Sequence, residues 1–134
     1  MNRKLLLTLL LTCGSVHAAE WVSFGMSRDR KAEFYVDTSS IRIAGPVRQV
    51  WSKRVVSPYT EKGVADQGNK WVSSEITHWT FNCIDETSRI GAMTVYYTDG
   101  SDYVDNSETS ELAPVAPDTF TELLMRFVCA WKPK

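Results

Sequence analysis

Short apolar stretches broken by polar turns run from Trp21 to Val104, and within them apolar and polar residues alternate as they do along extended strands. Trp21–Met26 predicts a first strand and residues 33–36 a second, separated by the charged turn Ser27-Arg28-Asp29-Arg30-Lys31. Asp37-Thr38-Ser39-Ser40 reads as a turn in which the Asp carboxylate accepts from nearby backbone N–H groups. Residues 41–44 form a brief extended piece that stops at Gly45-Pro46, and Val47–Val56 alternates as a longer strand. Residues 57–69, with Pro58, Gly63 and Gly68, read as a loop. Residues 70–83 and 89–98 predict two long strands. Asp99-Gly100 tolerates positive φ at both positions, so residues 101–104 return as the second arm of a hairpin.

After Thr119 the period changes. Phe120, Leu123, Leu124, Phe127, Val128 and Trp131 recur at helical spacing and make one apolar stripe. Thr119 and Glu122 have the spacing of a capping box, and Pro114 and Pro117 keep the helix from starting earlier. Strands followed by one amphipathic helix predict an α+β fold: an antiparallel sheet with the helix laid across one face.

Alternation also sorts side chains between the two faces. Trp71, Trp79, Phe81 and Cys83 share one parity; Val72, Ser74, Ile76, His78 and Thr80 take the other. Met93, Val95 and Tyr97 oppose Ile90, Ala92, Thr94 and Tyr96, and Val47, Trp51 and Val55 oppose Arg48, Val50, Ser52 and Arg54. The apolar set containing Cys83 is expected under the helix. The face turned away from it then carries Arg48, Val50, Arg54, Ile76, His78 and Tyr96. Arg, aromatic and apolar side chains together are what protein interfaces enrich, so this is the candidate binding face, for a protein partner or for self-association.

The amino end changes the compartment. Asn2, Arg3 and Lys4 precede a stretch from Leu5 to Leu11 that is apolar except for Thr8 and too short to span a bilayer, which needs about 20 residues. Val16-His17-Ala18 supplies the small residues at a signal-peptidase site, so residues 1–18 are expected to be a signal peptide and 19–134 the exported domain. The 116 residues that remain carry 13 basic and 16 acidic side chains, a net charge of −3 with no basic footprint for nucleic acid. No second long apolar run follows, so no transmembrane segment is expected once the signal is removed. Cys13 follows Leu10-Leu11-Thr12, an imperfect lipoprotein site because the residue before the cysteine is Thr, and release into the periplasm is favoured over anchoring. Cys83 and Cys129, the two cysteines left in an oxidising compartment, suit a disulfide. On an ideal helix, however, Cys129 lies about 180° from the middle of the apolar stripe. A bond to Cys83 then needs either an unwound last turn or a segment after Asn82 that wraps the helix end.

Little in the chain points to catalysis. The exported part has one histidine, His78, and no Gly-x-Ser-x-Gly elbow, Gly-rich phosphate loop or His-Glu-x-x-His. His78 reads as an ordinary sheet histidine with no ligand cluster around it, and no cofactor or metal is expected. Asp99, Asp102, Asp105, Glu108 and Glu111 form an acidic run whose spacing does not fit an EF-hand and suits a solvated loop. Asp37 and Thr119 are expected to be caps and not binding residues.

Five segments, in order, then make a pattern: Phe34-Tyr35-Val36-Asp37-Thr38-Ser39-Ser40-Ile41, Val50-Trp51, Phe81-Asn82-Cys83, Tyr96-Tyr97 before Asp99-Gly100, and Ala116-Pro117-Asp118-Thr119 leading to Cys129. In these the chain resembles the surface-adhesin protein E family, small exported domains of Gram-negative bacteria. The resemblance implies a sheet of about six strands with a C-terminal helix clasped to it by a disulfide, and supports pairing Cys83 with Cys129. It also implies a non-enzymatic adhesin-like role, toward a host matrix or another protein. Two other functions compete: a periplasmic carrier of a small apolar ligand such as haem between sheet and helix, and a small envelope hydrolase. Close packing of helix on sheet counts against the first, and the second has only its compartment in favour.

Overall fold

The computed structural model describes residues 18–63, 68–107 and 111–134. The leader residues 1–17, with Cys13, and Glu108 of the acidic run lie outside the described residues. The alternating segments become strands β1 (Trp21–Met26), β2 (Ala32–Asp37), β3 (Arg42–Ala44), β4 (Val47–Val56), β5 (Val72–Asn82), β6 (Thr87–Tyr97) and β7 (Asp102–Asp105), and a two-residue strand the sequence pattern does not predict, β8 (Ala113–Pro114), joins them. All pairings are antiparallel, in the order β1-β2-β4-β5-β6-β7. The short strands share edges: β3 pairs with the start of β4 beside β2, and β8 with the start of β6 beyond β7.

Between β2 and β3 the chain makes one 3₁₀ turn, Thr38–Ser40. Asp37 closes it, accepting from Ser39 N–H at 3.0 Å and from Glu20 N–H at 2.9 Å. The Ser40 hydroxyl accepts from Trp51 N–H at 2.9 Å, taking up a β4 donor where neither β2 nor β3 reaches. Asp37 is therefore a cap, as its sequence context implies.

Helix α1 (Phe120–Ala130) starts at Thr119, whose hydroxyl accepts from Glu122 N–H at 3.2 Å. Glu122 answers one residue earlier than a capping box would, accepting from Asp118 N–H at 2.8 Å. The helix lies on the sheet over a core of Val36, Val50, Trp79, Phe81, Leu124, Met125 and Val128. Val36, Val50, Phe81, Leu124 and Val128 are fully buried. Each such side chain contributes about 1.5–3 kcal/mol. A second cluster on the same face, Val56, Val72, Val95 and Tyr97, lies beside it.

The helix is rolled relative to the stripe its sequence suggests. Leu123 is 47 % exposed while Met125 is buried, so the buried arc centres about 75° further round, at 100° per residue. Gly25 permits this approach: a Cβ there would stand 3.2 Å from Leu123 Cδ2. The roll brings Cys129 to the flank of the core, where it bonds Cys83 across 5.8 Å between Cα atoms. The last turn stays wound and Cys129 remains helical.

Register decides which side chains lie under the helix. Cross-strand partners share a face, and Val50 pairs with Trp79, Arg48 with Phe81, and Arg54 with Glu75. Arg48, Val50, Ser52 and Arg54 therefore line the helix-side face, and Trp51, Lys53 and Val55 the other. Two irregularities in the β5–β6 ladder move further residues. One near Ser73 brings Val72 into the core opposite Tyr97, while Trp71 meets Tyr59 and Lys62. The other lets Ile90 pair with Trp79 on the helix side.

Candidate functional site

The sheet face away from the helix is ordered in ranks. Ser23, Tyr35, Lys53, Ile76, Thr94 and Val104 stand side by side across six strands. A second rank runs Met26, Glu33, Val55, Ser74, Tyr96 and Asp102. Trp51 and His78 pair beside them, ring centroids 4.9 Å apart. These are half-buried or exposed side chains: Met26 is 51 % exposed, Val104 50 %, Val55 39 % and Tyr96 39 %.

Local chemistry holds the ranks in place. Lys53 Nζ lies 4.6 Å from the Trp21 ring centroid and 5.3 Å from that of Tyr35, two cation–π contacts that fix the ammonium flat on the face. The Tyr35 hydroxyl and, second, the Ser23 hydroxyl hydrogen-bond Glu33, holding its carboxyl below the usual carboxylate range. The same bond raises the Tyr35 phenol. Gly91 lies against His78: a Cβ there would stand 3.0 Å from the imidazole Nδ1. The result is a mixed aromatic, apolar and charged surface of the composition that protein interfaces enrich.

Of the six residues expected on this face, Ile76, His78 and Tyr96 are there. Arg48, Val50 and Arg54 are not. Val50 is fully buried beneath the helix and offers nothing to a partner. Arg48 donates to the Gly45 carbonyl at 2.7 Å and the Val47 carbonyl at 3.1 Å. Arg54 is held by both oxygens of Glu61, at 2.6 and 2.8 Å, and by Glu75 at 3.1 Å. The Glu61 bonds, with Glu75 behind them, push its guanidinium pKa higher still against the effect of burial. β4 offers two apolar sets of opposite parity, and the heavier one, with Trp51, was expected inside; its pairing with β5 puts it outside. Trp21, Tyr35, Trp51 and Lys53 take the vacated places. Their signal in the sequence was the polar–aromatic alternation of β2 and β4 read in the opposite sense.

The acidic run disperses. Asp99 and Asp105 each cap their own turn through Ser101 and Ser107, which lowers both carboxyls, and Asp102 sits in β7. Among the described residues no three carboxylates, histidines or cysteines gather as a metal site. No helix among them is long and apolar enough to cross a membrane.

Among solved structures, protein E of Haemophilus influenzae has the same fold. It superposes with a TM-score of 0.55 at 13 % identity, over 81 % of this chain and 83 % of that one. A second crystal form gives 0.56 at 13 % identity over 81 % and 87 %. Protein E from non-typeable Haemophilus influenzae gives 0.53 at 13 % identity over 81 % and 75 %. No curated protein matches the chain. At the level of sequence, the profile of surface-adhesin protein E matches residues 21–130, nearly the whole described domain from β1 to the end of α1. The chain belongs to the surface-adhesin protein E family.

Proposed function

We propose that this chain is an exported, adhesin-like binding protein without catalytic activity, and that it grips a protein partner through the open face of its sheet. Family membership supports the adhesin-like role. The observation that carries the choice of face is the continuous band of half-exposed side chains from Met26 to Tyr96, in register across five strands, with no element among the described residues packed over it. A carrier role fits less well, because fully buried side chains of Val36, Val50, Phe81, Leu124 and Val128 fill the space between helix and sheet. The leader read in residues 1–18 and the Thr before Cys13 support a resting place in the periplasm, with surface display as the alternative.

The test is capture by immobilised extracellular-matrix protein and by cross-linked envelope extract, with Tyr96→Ala and Lys53→Glu beside the parent. Each substitution is expected to weaken capture by about tenfold or more, as truncation of an interface aromatic or reversal of its central charge does. Thermal midpoints should stay within a few degrees. Undiminished capture by both variants would discard this face as the binding surface.

A further inference from the structure

The chain leaving β4 holds one residue that its backbone position does not favour. Pro58 and Tyr59 form the turn after Ser57, and Tyr59 has a φ of 60°, in the left-handed region. The place after a turn proline, when φ is positive, suits glycine or asparagine, because a Cβ there crowds the following carbonyl. Among the described residues Arg30, Glu86 and Asp118 share this conformation, and each puts a charged side chain at a solvent turn. Tyr59 puts an aromatic ring there.

Stability does not account for the ring. It is 66 % exposed, the highest value for an aromatic side chain among the described residues. Its ring contact is edge-on, with Trp71 at 5.9 Å between centroids and 86° between planes. One edge-on pair left wet offsets no more than the cost of a residue held left-handed. The turn is fixed by other groups: Ser57 N–H donates to the Lys31 carbonyl at 2.7 Å, and the Thr60 hydroxyl to the Ser57 carbonyl at 2.7 Å. Strain held at an exposed site, with no packing to offset it, marks the side chain as the reason the residue is there.

Tyr59 adjoins the open face. Trp71 is next to Val72, which is in the core, so alternation turns Trp71 to the open side of the sheet. Lys62, the bridge partner of Trp71, lies with its ammonium 3.8 Å over the indole and donates to the Asn69 carbonyl at 3.2 Å. Trp71 is thus held from one side and braces Tyr59 on another. Pro58 and Val55 line one surface hollow with Met26 and Glu33. The tyrosine therefore stands at the end of the rank that runs Met26, Glu33, Val55, Ser74 and Tyr96, where Met26, Val55 and Tyr96 are themselves exposed.

We propose that Tyr59 is the anchor by which the open face holds its partner, its ring entering an apolar pocket on a folded protein while the rank from Met26 to Tyr96 lies along the same surface. This rests on the reading of that face as a binding surface, and adds to it the anchoring residue and the shape of the partner. A braced ring that projects from a loop needs a concave complement, which a folded protein supplies and a free small molecule does not. Tyrosine suits the task, since it offers a large contact area with few rotatable bonds, and bracing by Trp71 leaves less motion to lose on binding.

The experiment is retention of the processed chain on immobilised basement-membrane extract, with a thermal midpoint for every variant. Tyr59→Gly and Tyr59→Asn suit the left-handed backbone, so their midpoints should equal the parent's or lie a few degrees above it. Both should lose retention by about tenfold or more. Tyr59→Phe keeps the ring and should be retained nearly as the parent is. Full retention of Tyr59→Gly, with retention lost in Tyr96→Ala and Lys53→Glu, would overturn the anchor and leave the face standing. Full retention of all three would discard the face together with its anchor, and a parent that is not retained would overturn the anchor as well. A midpoint and a retention that fall together in Tyr59→Gly would overturn it by showing that the ring supports the fold. A parent that sediments as a dimer, beside a monomeric Tyr59→Gly, would overturn it in favour of a second copy of this chain.

Discussion

The two faces of the sheet are built from the same six strands, and alternate residues of each strand serve one or the other. Under the helix, Val36, Val50 and Phe81 are fully buried and a disulfide ties the layer shut. On the open side their immediate neighbours Tyr35 and Trp51 belong to a half-buried surface held by cation–π and ring contacts. Apolar content does not separate the faces, since each has its tryptophan and its branched aliphatics. Cover separates them. A dry face derives its energy from area removed from water and tolerates no hole, whereas an open face is held by side-chain contacts that remain wet and available.

Breaking the dry side should therefore cost most. Phe81→Ala removes a fully buried ring that stacks on Trp79 at 5.8 Å, next to the disulfide strand end. The expected loss is about 3–5 kcal/mol, read as a fall in the urea midpoint. A loss under about 1 kcal/mol would mean that the helix does not seal this face.

Arg54 tests where the boundary between the faces lies. Read from sequence alone it belonged to the binding surface, and its truncation would have weakened a partner and spared stability. The structure reverses that expectation. Arg54→Ala leaves Glu75 without its cation and frees the Glu61 carboxylate. A loss of about 1 kcal/mol follows, because the Glu61 side chain is 42 % exposed and water screens that pair, while the bond to Glu75 is better covered. Capture of a partner by the open face should be unchanged. If capture falls instead while stability holds, the face assignment of β4 is wrong.

That reversal shows what could be read in the chain and what could not. Seven of the strands, the Asp99-Gly100 hairpin, the Thr119 cap and the helix follow from local chemistry and form within two residues of their expected bounds, whereas the two-residue β8 carries no strand signal of its own. Parity within β4 was also legible, because neighbouring side chains must alternate. Which parity faces inward was not, since Val47, Trp51 and Val55 make as good a core stripe as Val50 with Val56. Only pairing with β5 decides, and pairing is a property of two segments. The ladder irregularities at Ser73 and near Gly91 were invisible for the same reason. Cys129 is a related case: a stripe of six apolar positions placed it opposite the sheet, but Leu123 turned outward and Met125 inward once the helix met Gly25.

The smallest expected effect lies on the open face, where a hydroxyl can be removed without touching the packing. Tyr35→Phe keeps the ring beneath Lys53 and deletes the phenol that hydrogen-bonds Glu33. With that bond the folded-state carboxyl titrates below its unfolded value. The contribution to stability is thus present above the ordinary carboxylate range and is lost as pH falls through the depressed folded value. In Tyr35→Phe the Glu33 titration should move up toward the ordinary range, held back only by Ser23, which donates to the carboxylate at 2.8 Å. Carbon-13 NMR of the Glu33 carboxyl across the acid range reads this directly, while the thermal midpoint at neutral pH should scarcely change. An unmoved titration would show that water, and not Tyr35, satisfies the carboxylate, and would mark the rank as more mobile than a preorganised binding surface.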